Sequence, residues 1–145
     1  MGSDYLTSPF DDLLKPVDDH LIVHNELMSS LILGNRISIH SSEKGIPDLD
    51  SIKIAIIGIP EERNSIDYLG DDLNLNEIRK SFYNLYPGNW SSKIADLGNL
   101  ILGGNTEETY GRVVSLLTII LKKNRSLYNE YDKFFSSTEF LGRET

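Results

Sequence analysis

Residues 52–60 read Ile52-Lys53-Ile54-Ala55-Ile56-Ile57-Gly58-Ile59-Pro60, and this run decides the fold class. Nearly every position is apolar and most are β-branched, which crowds a helix and suits a pleated strand. A run without polar alternation predicts a strand over 52–59 buried on both faces, as in a parallel sheet. Gly58 and Pro60 close it, because proline cannot donate to a ladder.

Downstream, a polar loop leads to Asn74 and Glu77, which stand in the N-cap and N3 relation of a capping box. They predict a helix over 74–86 with a buried stripe of Ile78, Phe82 and Leu85. Tyr86-Pro87-Gly88-Asn89 reads as a turn, and 93–97 as a second strand. Asn105 or Thr106 caps the longest helix, over 106–123, with Tyr110, Val113, Val114, Leu117 and Ile120 on one face. The order β-α-β-α with short joints implies right-handed crossovers and a parallel sheet with helices on its faces.

Upstream, Asp18 caps a helix expected over 18–33. Its apolar positions are Leu21, Leu27, Met28, Leu31 and Ile32, with Gly34 in the left-handed position that ends it. Residues 36–40 alternate and allow a short strand; 41–50 form a polar loop. The chain therefore divides into an extended amino-terminal arm (1–16, with Pro9 and Pro16), a β-α-β-α segment (17–123) and a divergent tail (124–145). The fold class is α/β.

At 145 residues and a formal charge of −8 the chain holds one domain at most. An acidic surface repels phosphate backbones, which argues against nucleic acid as a partner. Cysteine is absent, so disulfides, thiolate metal sites and a cysteine nucleophile are excluded. Acidic residues occupy the opening where a secretory signal needs a basic and then apolar run, and no apolar stretch has the length of a membrane span. A cytoplasmic protein with no membrane partner is the expectation.

The strand 52–60, Asn76-Glu77-Ile78-Arg79-Lys80, and Ile94-Ala95-Asp96-Leu97-Gly98-Asn99 follow one another in the order in which a ureohydrolase opens. Such proteins begin with a buried strand ending in Gly-hydrophobic-Pro, a helix bearing Ile-Arg and a strand ending in Asp-Leu-Gly-Asp/Asn. Pro87-Gly88-Asn89-Trp90 and His24-Asn25-Glu26-Leu27 also recur there. Over residues 16–123 the chain resembles the opening part of the arginase/agmatinase/formimidoylglutamase family, and most closely its formimidoylglutamase-like branch. The resemblance implies part of a three-layer α/β/α, arginase-like architecture with a short parallel sheet and flanking helices. It implies, for complete members, hydrolysis of a guanidino or formimino C–N bond by a hydroxide bridging two manganese ions.

The family draws its manganese ligands from Gly-Gly-Asp-His, Asp-Ala-His-x-Asp and Ser-x-Asp-x-Asp strand ends, and none occurs in this sequence. The three histidines, His20, His24 and His40, all precede the first family strand. Leu102-Gly103-Gly104-Asn105-Thr106 imitates the first motif, but it follows the second strand directly and reads as a glycine turn feeding a helix cap. His20 and His24 stand four apart, where two ligands can face one ion. No glutamate lies between them and no third ligand is visible, so a structural role is favoured. No metal ligand and no catalytic residue is assigned.

Candidate ligand-binding residues are those at strand ends, where open α/β sheets form a crevice: Glu61, Glu62, Arg63, Asn64 and Asp96. For the loop 61–64 a solvated charged loop outweighs a ligand-binding role, and for Asp96 so does capping a nearby helix or loop amide; Arg79 reads as an internal ion pair, with an oligomer interface as its alternative. Tyr128, Tyr131, Phe134 and Phe135 offer either core cover or a docking surface. The functional expectation is a truncated ureohydrolase relative without catalysis of its own. The alternative is a binding or regulatory module that pairs with a full-length relative or with a copy of itself; a third reading places the remaining catalytic residues on another chain. A two-stranded sheet leaves an unpaired edge, from which association into a homo-oligomer or with such a relative is expected.

Overall fold

The computed structural model describes residues 8–68, 70 and 74–123. It is a mixed α/β structure whose elements, in chain order, are β1 (Leu14–Lys15), α1 (Asp19–Leu27), β2 (Ser38–Ile39), β3 (Ile54–Gly58), α2 (Asn76–Tyr83), β4 (Ile94–Leu100) and α3 (Thr106–Lys123). The tail from residue 124 and its aromatic residues lie outside the described residues.

β4 is the axis of the sheet. Asp96 pairs with both Ile39 and Ile56, and Asn99 with both Lys15 and Gly58. One side of β4 therefore belongs to β3, and β1 and β2 share the other end to end. β2 and β3 run parallel to β4, as the β3-α2-β4 order requires, while β1 is antiparallel. The expected parallel pair is present, but among the described residues the sheet has four strands instead of two.

Burial follows this order. All of β4 except half-buried Asn99 is buried, whereas Ile54 in β3 is 38 % exposed and the rest of β3 is half-buried. The expectation that 52–59 is covered on both faces is thus corrected: among the described residues β3 is an edge strand and the central strand alone is fully enclosed. Alternate residues of β4 serve different helices. Ala95 and Leu97 join Phe10, Leu14, Leu49, Ile52, Leu116 and Ile120 in one apolar cluster. Asp96 turns instead toward α2, and Tyr83 there joins Val17 and Leu21 in a second cluster.

Several local expectations change. The segment 1–16 is no loose arm from residue 8 onward, because Phe10 and Leu14 are core residues and β1 completes the sheet; residues 1–7 lie outside the described residues. α1 stops at Leu27, since Asn35 Nδ2 donates to the carbonyls of Asn25 and Ser29 and holds the chain out of helical register. Gly34 sits in a 3₁₀ turn (Leu33–Asn35) rather than in a left-handed cap. A side chain there would strike Asn25, the first atom at 2.6 Å, so close packing is what selects glycine.

In α2, Ile78 faces outward, as does Leu85 just beyond the helix, which ends at Tyr83 and not at 86; the buried pair is Arg79 and Tyr83. The polar face turns inward because a buried carboxylate lies beneath it. Asn74 accepts from the Asn76 amide and Leu75 occupies the cap position, so the capping box is replaced by a local turn. In α3, Thr109, Leu116 and Ile120 are buried with Val113 half-buried, while Tyr110, Val114 and Leu117 of the expected stripe are exposed. Among the described residues, no helix is long and apolar enough to cross a membrane.

Candidate functional site

Asp96 is the deepest charge among the described residues, with no exposed surface. β4 carries it to the face covered by α2, where Arg79 and Tyr83, one helical turn apart, descend side by side. Arg79 grips the carboxylate with two prongs: Nε donates to Oδ2 at 2.9 Å and Nη2 to Oδ1 at 3.1 Å. The Tyr83 hydroxyl donates to Oδ2 at 2.6 Å and the Gly98 amide to Oδ1 at 3.0 Å.

Arg79 also donates to the Gly98 carbonyl at 2.9 Å and to the Asn99 side chain. Burial drives the Tyr83 hydroxyl well above the usual tyrosine range, and the neighbouring Asp96 carboxylate adds to that. Burial is the largest single influence on the Arg79 charge and works against it, but the hydrogen bonds and charge of Asp96, with Tyr83 adding to them, together leave the guanidinium raised. Tyr83 is therefore a fixed donor and Arg79 a permanent cation.

Each Asp96 oxygen accepts two hydrogen bonds from the protein, and the set clamps α2 onto β4 and its Gly98 corner. Asp96 does not face the strand-end crevice. The reading of Asp96 as a partner for a nearby amide holds in part through Gly98, and Arg79 forms the expected structural ion pair.

Glu61, Glu62, Arg63 and Asn64 gather at a different place, the loop after β3 against the amino-terminal end of α3. Glu61 Oε1 accepts from Arg63 Nε at 2.8 Å and from the Arg63 amide at 3.1 Å. Its Oε2 accepts from Arg63 Nη2 and from the Thr109 hydroxyl, the latter at 2.8 Å. Arg63 continues to the Gly103 carbonyl at 3.0 Å, and Asn64 accepts from Thr106 at 3.3 Å. The Arg63 guanidinium holds the Glu61 carboxyl at about 2. Glu62 lines a cleft of about 280 Å³ there with Pro60, Tyr68 and Leu102.

The glycine turn behaves as a helix entry. Gly103 donates to Thr109 at 2.9 Å, Gly104 to Glu108, and Glu108 back to Asn105 at 2.8 Å. Asn105 caps α3. The histidines are separate from this cluster. His20 and His24 border a cleft with Glu77 and Lys80 between α1 and α2, and buried His40 places Nδ1 2.8 Å from the Leu97 carbonyl, tying β2 to β4.

The manganese that the family resemblance implies needs several oxygen and imidazole donors converging on one point. Among the described residues, no three of His, Asp and Glu converge in that way. Glu61 and Asp96 are filled by protein donors, so the described residues do not fit such a centre.

Tyr83, Gly98, Asn99 and Thr109 were not singled out by sequence, although all take part in these networks. The i, i+4 spacing of Arg79 and Tyr83 was the available signal, masked by the apolar stripe of Ile78, Phe82 and Leu85. Compared with models of protein families, with curated proteins and with solved structures, the chain has no match.

Proposed function

We propose that the chain is a non-catalytic α/β unit of ureohydrolase build, belonging to a partial three-layer arginase-like architecture, and that it works by associating with another polypeptide. The observation carrying this reading is the commitment of the two carboxylates Asp96 and Glu61 to the protein itself. Asp96 is saturated by Arg79, Tyr83 and Gly98, and Glu61 by Arg63 and Thr109. A carboxylate whose lone pairs are filled by buried donors is a poor ligand or general base without breaking those bonds. The order of motifs in the sequence and the parallel β3-α2-β4 unit support the family part of the reading.

The test is calorimetric titration with manganese, combined with assays for urea or formamide released from arginine, agmatine and formimidoylglutamate. The expected outcome is no stoichiometric two-ion binding and no turnover above background. Binding of two manganese ions per chain at micromolar affinity, or turnover, refutes the reading.

A further inference from the structure

We infer that the outer edge of β3 and the adjoining flank of α3 form an interface for a second copy of this chain, paired about a two-fold axis. The inference rests on the associative reading above and names its surface and partner.

The edge comes first. β3 bonds to β4 on one side, and among the described residues no strand pairs with its other side. The Ile54 amide donates to the Lys93 carbonyl across the β4 side. Since alternate residues of a strand bond to opposite sides, Ala55 and Ile57 turn their amides and carbonyls outward. The edge without a strand partner among the described residues is thus Ile54-Ala55-Ile56-Ile57-Gly58, exposed at Ile54 and half-buried beyond it, with no charged residue or proline within it to discourage pairing.

The helix beside it repeats the pattern. Leu116 and Ile120 point into the sheet cluster. Arg112 reaches the Asp12 carbonyl and Lys123 lies over the Phe10 ring, so that flank of α3 faces the β1 side. The opposite flank faces the β3 side and carries Tyr110, Val114 and Leu117, exposed by 60 %, 65 % and 43 %. Their i, i+4, i+7 spacing makes one apolar stripe alongside the open strand.

Charge selects the occupant. The chain carries −8 overall, so two copies repel wherever their acidic surfaces meet. Neither the strand nor the stripe contains a charged residue, and a basic partner would find no carboxylate on them. A neutral apolar edge fits another neutral apolar edge, and an antiparallel pair of identical strands is self-complementary about a two-fold axis. In the register where Ala55 and Ile57 of one copy exchange bonds with Ile57 and Ala55 of the other, Ile56 faces its own counterpart. One short strand and three side chains fall short of the ~800 Å² per partner of a standard interface, so the dimer is weak and concentration-dependent.

The experiment is sedimentation of the full chain over ~1 to ~100 μM, the range in which a weak interface populates both states. The expected result is a monomer–dimer equilibrium, weakened at least about tenfold by Leu117→Lys or Ile54→Lys. Leu27→Lys, on an exposed position of α1, leaves it unchanged. Circular dichroism matching that of the parent chain shows that each variant is folded. Because the chain has no cysteine, Ile56→Cys adds a single reporter; mild oxidation is expected to link two copies through it, while Ile78→Cys stays unlinked.

A monomer throughout the range, with no Ile56→Cys link, overturns the inference, whether the edge is bare or covered by the chain's own tail. So does a dimer indifferent to residues 54 and 117. Manganese turnover would refute the non-catalytic reading while leaving this dimer intact, so the two failures are distinguishable.

Discussion

Asp96 draws its hydrogen bonds from a helix, a tyrosine and its own strand, and this convergence makes it the most consequential single residue among those described. Removing the carboxylate leaves Arg79 buried beside an empty site, and breaking a buried pair from one side costs about 3–5 kcal/mol. Total stability is about 5–15 kcal/mol for a domain of this kind, so Asp96→Ala consumes a large share of it. Tyr83→Phe removes one donor to a charged acceptor, a loss of about 1.5–3 kcal/mol. Urea unfolding of the two variants should rank them in that order; a Tyr83→Phe variant as damaged as Asp96→Ala would mean that the ring hydroxyl, and not the ion pair, anchors α2. Glu61 gives a different readout. Its carboxyl is held at about 2 against an ordinary 4.5 by hydrogen bonds from Arg63. A depressed carboxylate stabilises the fold fully above its unfolded value, and that contribution fades as pH falls from 4.5 toward 2. The urea midpoint of the parent chain should drop more steeply across that window than that of Glu61→Gln.

Among the elements, β4 owes its place to a corner that only glycine can make. Gly98 has φ of 88°, and an added Cβ would lie 2.0 Å from the Lys15 carbonyl oxygen. Gly88 also has a positive φ, 61°, but faces open space. Gly88→Ala should therefore cost only the left-handed backbone penalty of about 1–2 kcal/mol. Gly98→Ala should cost more, since it also pushes β1 off β4; equal thermal melts for the two variants would contradict the close approach. Both glycines stand in stretches that sequence reads as turn or strand end, but the β1 contact that separates them is not visible there. Helix α2 teaches the complementary lesson. Its length and position were legible to within a few residues, yet its inward face was not. Hydrophobic periodicity ranks faces by apolar content, and here a buried carboxylate made the polar face the complementary one.

At the scale of the molecule, the chain is acidic, while the β3 edge and the α3 stripe proposed above as an interface carry no charge. Added salt screens the long-range repulsion between copies while leaving apolar contact and strand pairing in place. The dimer expected through Ile54–Gly58 and α3 should therefore strengthen with ionic strength, a dependence that the same sedimentation series reads directly. An interface built on ion pairs would weaken instead.

By itself the sequence determined the α/β class, the parallel pairing of β3 with β4, the long helix with its cap at Asn105 or Thr106, and the structural pairing of Arg79. These rest on local chemistry: β-branched runs, cap side chains and the rarity of unpaired buried charge. Only the tertiary structure decided that β4 and not β3 is the enclosed strand, that Leu14–Lys15 add a strand to the sheet, and that Glu61 and Asp96 serve separate networks. The reason is physical. Whether an apolar strand lies at the centre or the edge depends on what stands on either side of it, and here β1 and β2 come from distant parts of the chain. A carboxylate's partners are likewise set by which helix crosses above it, a relation that local propensity does not encode.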